Sequence, residues 1–226
     1  MLNELMPQSV SGDRRFYGVV VGVVTNNEDP KGMGRVKVKF PWLSGTGESN
    51  WARVASPMAG KERGFYFLPE VEDEVLVMFE HGYVECPYVV GALWNGQDKP
   101  PESNGDKKNN KRLIKSRSGH LITLDDTQDA EKISIVDKSG KNRIELDTQS
   151  NKVTIVSEKD LSIEARGDIR LATDSGDLSI KCRSFSVDAQ QGYQLKGAQA
   201  SMEASDGMAI KCMAGVDING GALEVK

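Results

Sequence analysis

The chain reads Val153-Thr-Ile-Val-Ser157, Leu161-Ser-Ile-Glu-Ala165 and Ile169-Arg-Leu-Ala-Thr173, and this pattern recurs every seven to nine residues up to its end. Each copy places an apolar residue, a second apolar residue two positions later and a small residue two positions after that. Such alternation is typical of a β-strand, because successive side chains point to opposite faces. The short period predicts a stack of strands in which each unit buries its apolar face against its neighbours.

One repeat is too short to enclose a core, since its strand of about five residues spans only roughly 17 Å. Two arrangements would bury the apolar positions. Three successive repeats could form one coil of a single-chain β-helix, or three chains could wind around a common axis. The pattern leaves both open. The positions predicted to lie in this core are Leu161, Ile163, Ala165, Ile169, Leu171, Leu178, Ile180, Cys182, Phe185, Val187, Ala189, Tyr193, Leu195, Gly197, Met208, Ile210 and Cys212.

Composition limits the remaining possibilities. Hydrophobic residues make up 38% of the 226 residues and aromatic residues 6%, which is low for a compact enzyme core and suits a strand-and-turn protein. A net charge of −4 provides no general attraction for nucleic acid. The start of the chain lacks the features of a signal peptide, and no apolar run reaches the length of a membrane span. We therefore expect synthesis in the cytoplasm, with three cysteines that form no disulfide framework.

The region before the repeats contains short apolar runs separated by Gly, Pro and Asn turn signals. Arg35–Phe40 alternates cleanly and predicts that Val36, Val38 and Phe40 point inward. The other candidate strands are Phe16–Val24, Trp51–Ala55, Gly64–Leu68, Glu74–Phe79 and Pro87–Leu93. Five or six such strands predict a small closed barrel over residues 15–96, after an arm at 1–14. Residues 97–112 are expected to be a linker and residues 113–226 the repeat segment. No stretch shows helical periodicity.

Several ordered motifs of this region resemble a known family. They are Asp29-Pro-Lys-Gly-Met-Gly-Arg-Val-Lys-Val-Lys-Phe-Pro-Trp42, Trp51-Ala-Arg-Val54, Leu68-Pro-Glu-Val-Glu-Asp-Glu-Val-Leu-Val-Met-Phe-Glu-His-Gly82 and Pro87-Tyr-Val-Val-Gly-Ala-Leu-Trp-Asn95. They are similar to the OB-fold domain of contractile-injection spikes, a family that includes phage baseplate assembly protein V, the phage T4 spike and VgrG of type VI secretion. Ile114–Thr127 and Lys138–Asp147 resemble the VgrG segment that opens the needle. The resemblance implies an all-β homotrimer with an N-terminal OB-fold barrel and a C-terminal intertwined β-helix.

The resemblance also implies a function. The expected protein is a non-enzymatic central spike at the baseplate of a phage tail, a type VI secretion system or an extracellular injection particle. It would contact the target membrane only transiently as it punctures it. It would be delivered to the outside of the producing cell when the machine fires. Its expected partners are a separate baseplate hub protein at the OB end and a conical PAAR-repeat tip protein at the other end. The residues expected to dock the tip are Val216, Ile218, Leu223, Val225 and Lys226.

The alternative functions are a hydrolase and a nucleic-acid-binding module. The carboxylates between Glu70 and Glu74 could serve a tail-spike hydrolase of envelope polysaccharide or peptidoglycan, but a solvated turn fits them better. A nucleic-acid-binding OB module is disfavoured, because the sequence of the barrel segment predicts no basic, aromatic-rich face. The basic residues between Lys107 and Arg117 are interpreted as a solvated linker, and His120 as a surface or packing residue of the first needle strands.

The remaining motifs favour structural roles. Gly32-Met-Gly34 lacks the third glycine and the helix of a phosphate loop, so it predicts a hairpin turn. Cys182 and Cys212 occupy the small position of their repeats, where three copies could gather a metal. Packing is the preferred interpretation, since cysteine is a compact residue that is commonly buried. No catalytic residue, metal site or cofactor is expected.

Overall fold

The computed structural model describes residues 15–43 and 47–214. The chain divides into two compact units, one ending at Ser162 and the other beginning at Ile163. Across the described residues the first unit holds every strand, and the one helical element is a 3-10 turn at Glu80–Gly82. Within the same residues, no helix has the length and apolarity needed to cross a membrane.

The first seven strands belong to the N-terminal part of the chain. They are β1 (Val19–Asn26), β2 (Arg35–Lys39), β3 (Ala52–Val54), β4 (Ala59–Gly60), β5 (Arg63–Gly64), β6 (Glu74–Phe79) and β7 (Pro87–Ala92). Five of them close into a barrel in the order β1-β2-β3-β7-β6, with β6 pairing back onto β1. All neighbours are antiparallel except β3 and β7, which are parallel. The predicted small closed barrel is confirmed.

Alternate residues of the barrel strands form its core. Val36 and Val38 are fully buried and Phe40 is 4% exposed, as the alternation of β2 predicts. The other core residues are Val24, Ala52, Val75, Val77, Phe79 and Val89. Gly22 on β1 lies against the Val38 side chain of β2. A Cβ atom placed at Gly22 would lie 2.3 Å from Val38 Cγ1. A side chain at this position would therefore have to displace the core.

The strand predicted at Gly64–Leu68 is wrong. β4 and β5 form a short hairpin with two residue pairs, which ends at Gly64. The chain from Phe65 onward forms no strand pairs. Phe65, Tyr66 and Phe67 are consecutive aromatic residues, whereas a half-buried strand alternates its apolar side chains with polar ones. All three are more than half exposed. The apolar run was therefore a surface feature and not a strand.

Five further strands follow the barrel. They are β8 (Lys111–Lys115), β9 (Leu121–Asp125), β10 (Lys132–Val136), β11 (Arg143–Asp147) and β12 (Lys152–Val156). Each pairs with the next in an antiparallel meander. The strands within residues 113–156, which the sequence prediction places in the needle, thus pair within one chain. The basic run is not a solvated linker throughout, because Lys111–Lys115 forms β8.

The turns of this sheet are held by side chains. In the β10–β11 turn, the Asp137 carboxylate accepts hydrogen bonds from Ser139 Oγ at 2.7 Å and from Asn142 Nδ2 at 2.8 Å. These bonds favour the charged form and lower the pKa of Asp137 to about 2. A carboxylate that bonds to its own turn fixes where one strand ends and the next begins.

The second unit is described from residue 163 to residue 214. No strand is formed among these residues, and every one of them is exposed in the single chain. The apolar repeat positions are included: Ile163 is 68% exposed and Leu195 66%. One chain alone therefore does not build a β-helix from this segment.

Candidate assembly surface

One face of the β8–β12 sheet carries isoleucine in register on all five strands. Cross-strand pairing aligns Ile114, Ile122, Ile135, Ile144 and Ile155 in one row. A second row beside it contains Arg112, Leu124, Ile133, Leu146 and Val153. The side chains of the isoleucine row are 40 to 59% exposed, so no element among the described residues covers them. We call this surface the isoleucine face.

The opposite face of the sheet is mixed and less exposed. Ser134 on this face is only 9% exposed, and apolar residues lie among the polar ones: Leu113, Leu121, Val136 and Val156. Its outermost row alternates in charge through Lys111, Asp125, Lys132, Asp147 and Lys152. Hydrogen bonds from Thr127, assisted by the two flanking lysines, hold the pKa of Asp125 below its ordinary value. Opposite charges on neighbouring strands stabilise a sheet in contact with water. The isoleucine face is therefore both the more apolar and the more exposed side of the sheet.

An open cavity of about 560 Å³ lies at one end of the isoleucine face. Its lining includes Ile114, Ile144, His120 and Leu161. His120 is exposed, and its Nδ1 accepts a hydrogen bond from the Lys138 backbone N–H at 3.2 Å. The prediction of a surface or packing role for His120 is confirmed. A mostly apolar cavity that opens onto an apolar sheet face is suited to side chains of another protein segment.

The outer side of β2 and β3 brings basic and aromatic residues together, contrary to the sequence prediction. Arg35 and Lys37 lie over the Trp51 ring, 5.7 and 5.5 Å from its centroid. Asp29 and Glu48 neutralise these two cations through ion pairs of 2.6 and 2.9 Å. The face is therefore basic and aromatic but internally paired, which leaves little net charge for a phosphate backbone.

Asp29 also confirms the predicted hairpin turn at Gly32-Met-Gly34. Its carboxylate accepts hydrogen bonds from the backbone N–H groups of Lys31 and Met33, at 3.0 and 2.9 Å. Arg35 donates two more, and its guanidinium holds the pKa of Asp29 well below the usual range. Both glycines have positive φ, which favours glycine in a tight turn.

The acidic cluster forms a turn, as predicted. The Asp73 carboxylate accepts a hydrogen bond from the Glu70 backbone N–H at 2.8 Å, and Glu72 has positive φ. The Glu70 carboxylate pairs with Arg117 at 2.7 Å. A glycosidase pair needs two carboxylates that face one cleft, and these groups are engaged in the turn and in a surface ion pair. Residues 15–43 and 47–214 contain no group of three metal-ligating side chains.

The predicted core residues are not buried within a single chain. Those between Leu161 and Cys212 lie exposed along the single chain, including the two cysteines of the repeats. The tip-docking residues Val216, Ile218, Leu223, Val225 and Lys226 lie outside the described residues. Sequence reasoning missed the isoleucine face, although Ile133-Ser-Ile135 and Ile144-Glu-Leu146 carry the alternation that signals it.

Comparison with known proteins agrees with this architecture. Residues 20–94, which cover the barrel strands, match the family model of the type VI secretion system/phage-baseplate injector OB domain. This segment is an injector OB domain. The sequence resemblance to the baseplate V and VgrG family is thereby confirmed for the barrel.

Similarity to spike proteins extends beyond the injector OB domain. The chain is 30% identical over 137 residues to the type VI secretion system spike protein VgrG1a of Pseudomonas aeruginosa, covering 58% of this chain and 20% of that protein. It is 29% identical over 122 residues to the actin cross-linking toxin VgrG1 of Vibrio cholerae, covering 52% and 10%. Over 72 residues it is 42% identical to the P. aeruginosa spike protein VgrG5. The chain thus spans a fifth or less of the length of these relatives.

Proposed function

We propose that this chain is the non-enzymatic central spike of a contractile injection machine, assembled from three copies. The observation that carries the proposal is the isoleucine face, which is apolar, in register and uncovered. Its last strand, β12, contains Val153 and Ile155, the apolar residues of the first repeat. The apolar pattern therefore runs without interruption in sequence from the sheet into the repeat segment.

Three intertwined chains fit the repeat segment better than a single-chain β-helix. A single-chain β-helix would pair successive repeats within one chain, and residues 163–214 form no such pairs. Three chains that share an axis would bury the alternating apolar positions and pair the backbone groups between copies. The rigidity of such a shaft supports a mechanical role, in which the rod pierces a membrane ahead of a driven tube. In this proposal the injector OB domain joins the spike to a hub protein of the baseplate.

The mass of the purified full-length chain tests this proposal directly. We expect light scattering coupled to size exclusion to give three times the 24.7 kDa of one chain. The mass should not change over a hundredfold dilution, because a large intertwined interface dissociates slowly. A monomer at all concentrations would contradict the spike.

We further propose that residues 216–226 dock a tip protein of the PAAR-repeat type. The support is the sequence pattern, since Ile218, Leu223 and Val225 continue the apolar alternation of the repeats up to Lys226. A stack of repeats exposes an apolar cross-section at its last unit unless something covers it. A separate tip protein would bury that cross-section.

Deleting residues 216–226 is expected to abolish capture of a purified PAAR-repeat protein and to leave the trimer mass intact. The repeats from Val153 to Met208 remain to hold the trimer together. A matched control replaces Asp217 and Glu224, which alternate in sequence with the apolar residues, by asparagine and glutamine and should retain capture. Unchanged capture by the shortened trimer would contradict the docking assignment.

A further inference from the structure

The segment between β3 and β6 projects an ordered aromatic hairpin from the injector OB domain. Ser56 Oγ donates to the backbone carbonyl oxygens of Met58 and Phe65, and the Phe65 N–H donates to the Met58 carbonyl oxygen at 3.0 Å. Gly64 allows this close approach, since a Cβ atom there would lie 2.5 Å from the Met58 oxygen. We call residues 56–67 the aromatic tongue.

The backbone of the aromatic tongue is held by hydrogen bonds, but its aromatic side chains are exposed. Phe65, Tyr66 and Phe67 are 52, 77 and 65% exposed, and the two phenylalanine rings stack on each other with centroids 6.4 Å apart. Holding three aromatic side chains in water on a fixed backbone gains no burial energy within this chain. A rigid, exposed aromatic cluster is instead characteristic of a protein–protein contact.

The base of the tongue lies beside the sheet that carries the isoleucine face. Leu68 packs against the barrel core, and Asn27 Nδ2 donates to the Pro69 carbonyl oxygen at 3.1 Å. The next residue, Glu70, pairs with Arg117 in the β8–β9 turn at 2.7 Å. That turn links the strands of Ile114 and Ile122. The tongue therefore starts at the end of the sheet that would meet other copies in the proposed trimer.

The same barrel carries a second unpartnered apolar surface on the outer side of β1, β6 and β7. Val19 pairs with Met78 across β1 and β6, and these residues are 53 and 43% exposed. Val21 and Val90 extend the patch, which we call the β1–β6–β7 face. Outward-facing residues of a barrel in water are normally polar, whereas here both sides of β1 are apolar. The barrel thus carries two different apolar surfaces.

We propose that the aromatic tongue of one copy packs against the β1–β6–β7 face of the next copy in the trimer. A contact between two different patches of the same chain closes into a ring when the rotation between copies is cyclic. Three such contacts would bury both surfaces at once, next to the isoleucine faces. They would fix the three barrels relative to one another. This inference rests on the proposed trimer.

Photo-cross-linking in the full-length chain tests the contact. A benzoylphenylalanine in place of Tyr66 is expected to give covalent dimers and trimers, with cross-links mapped to β1, β6 or β7 of another copy. The control places the same group at Tyr83, which is also exposed but contacts Arg15 beyond the 3-10 turn, and should give none. Met78→Lys should lower the yield from position 66 at least fivefold, whereas Lys39→Glu on β2 should leave it unchanged.

The outcomes separate this inference from the proposed function. A trimer in which position 66 cross-links only within its own chain, to a different protein, or to another surface of its neighbour contradicts the tongue contact alone. A monomeric chain contradicts the spike, and the tongue contact with it. Interchain cross-links to the β1–β6–β7 face that Met78→Lys suppresses support both.

Discussion

Ile122→Glu is expected to convert the proposed trimer into monomers without unfolding the barrel. Ile122 lies on β9 within the isoleucine face, 41% exposed in one chain, between Ile114 and Ile135. Burying such a side chain contributes about 2 kcal/mol, and a charge in its place adds a desolvation penalty. Both effects occur three times in each trimer. Sedimentation velocity should show the mass of one chain, while Trp51 fluorescence retains the folded barrel signal.

Thr123→Glu is the matched control. Thr123 is the next residue on the same strand and lies half-buried on the opposite face, paired with Leu113 and Ser134. The same charge is therefore introduced at the same height of the sheet but on the side away from the isoleucine face. This variant should remain a trimer. If Thr123→Glu dissociates the trimer and Ile122→Glu does not, the sheet buries the other face.

Gly22→Val is expected to lower the stability of the barrel strongly. A Cβ atom at Gly22 would lie 2.3 Å from Val38 Cγ1 and 3.3 Å from the Lys39 carbonyl oxygen. Val38 is fully buried and cannot move away. Overpacking of this kind costs about 1 to 3 kcal/mol, and each kcal/mol lowers the melting temperature of a domain of this size by about 4 to 8 °C. Thermal unfolding followed by tryptophan fluorescence measures the effect.

Gly91→Val provides the comparison for this substitution. Gly91 is an exposed β7 residue whose added Cβ would meet no atom within 4 Å. Both variants carry the same glycine-to-valine change in a barrel strand, so backbone preference affects them alike. Gly91→Val should therefore melt close to the natural protein. Equal melting temperatures for the two variants would show that β1 does not approach β2 as closely as the structure indicates.

The barrel could be predicted from sequence because its strands alternate strictly. In Arg35-Val-Lys-Val-Lys-Phe40 every second residue is buried, so local pattern and final packing agree. The prediction failed at Phe65–Phe67, where three adjacent aromatic residues satisfy strand propensity but not strand periodicity. Propensity alone does not distinguish a half-buried strand from an exposed cluster.

Contacts between distant residues were harder to foresee. The Arg35–Trp51 contact joins β2 to the residue just before β3. The basic residues of β2 are visible in the sequence, but the aromatic ring that they meet depends on the pairing of the two strands. The isoleucine face likewise depends on the register of five strands, which the individual runs do not specify. The repeats pose a different problem, because the apolar positions of residues 163–214 are all exposed in one chain. A single-chain fold cannot bury a surface that only other copies could cover.

The alternating charge row of the sheet has a consequence for the order of assembly. Sliding one strand by two residues keeps its faces but moves a lysine such as Lys132 away from Asp125 and Asp147. The row thus penalises misaligned hairpins while each chain is still alone. The meander joins only consecutive strands through short turns, and such local contacts form early in folding. In the proposed trimer, each chain would therefore align its own five strands first, and its repeats would then pair with those of the other two chains in a defined register.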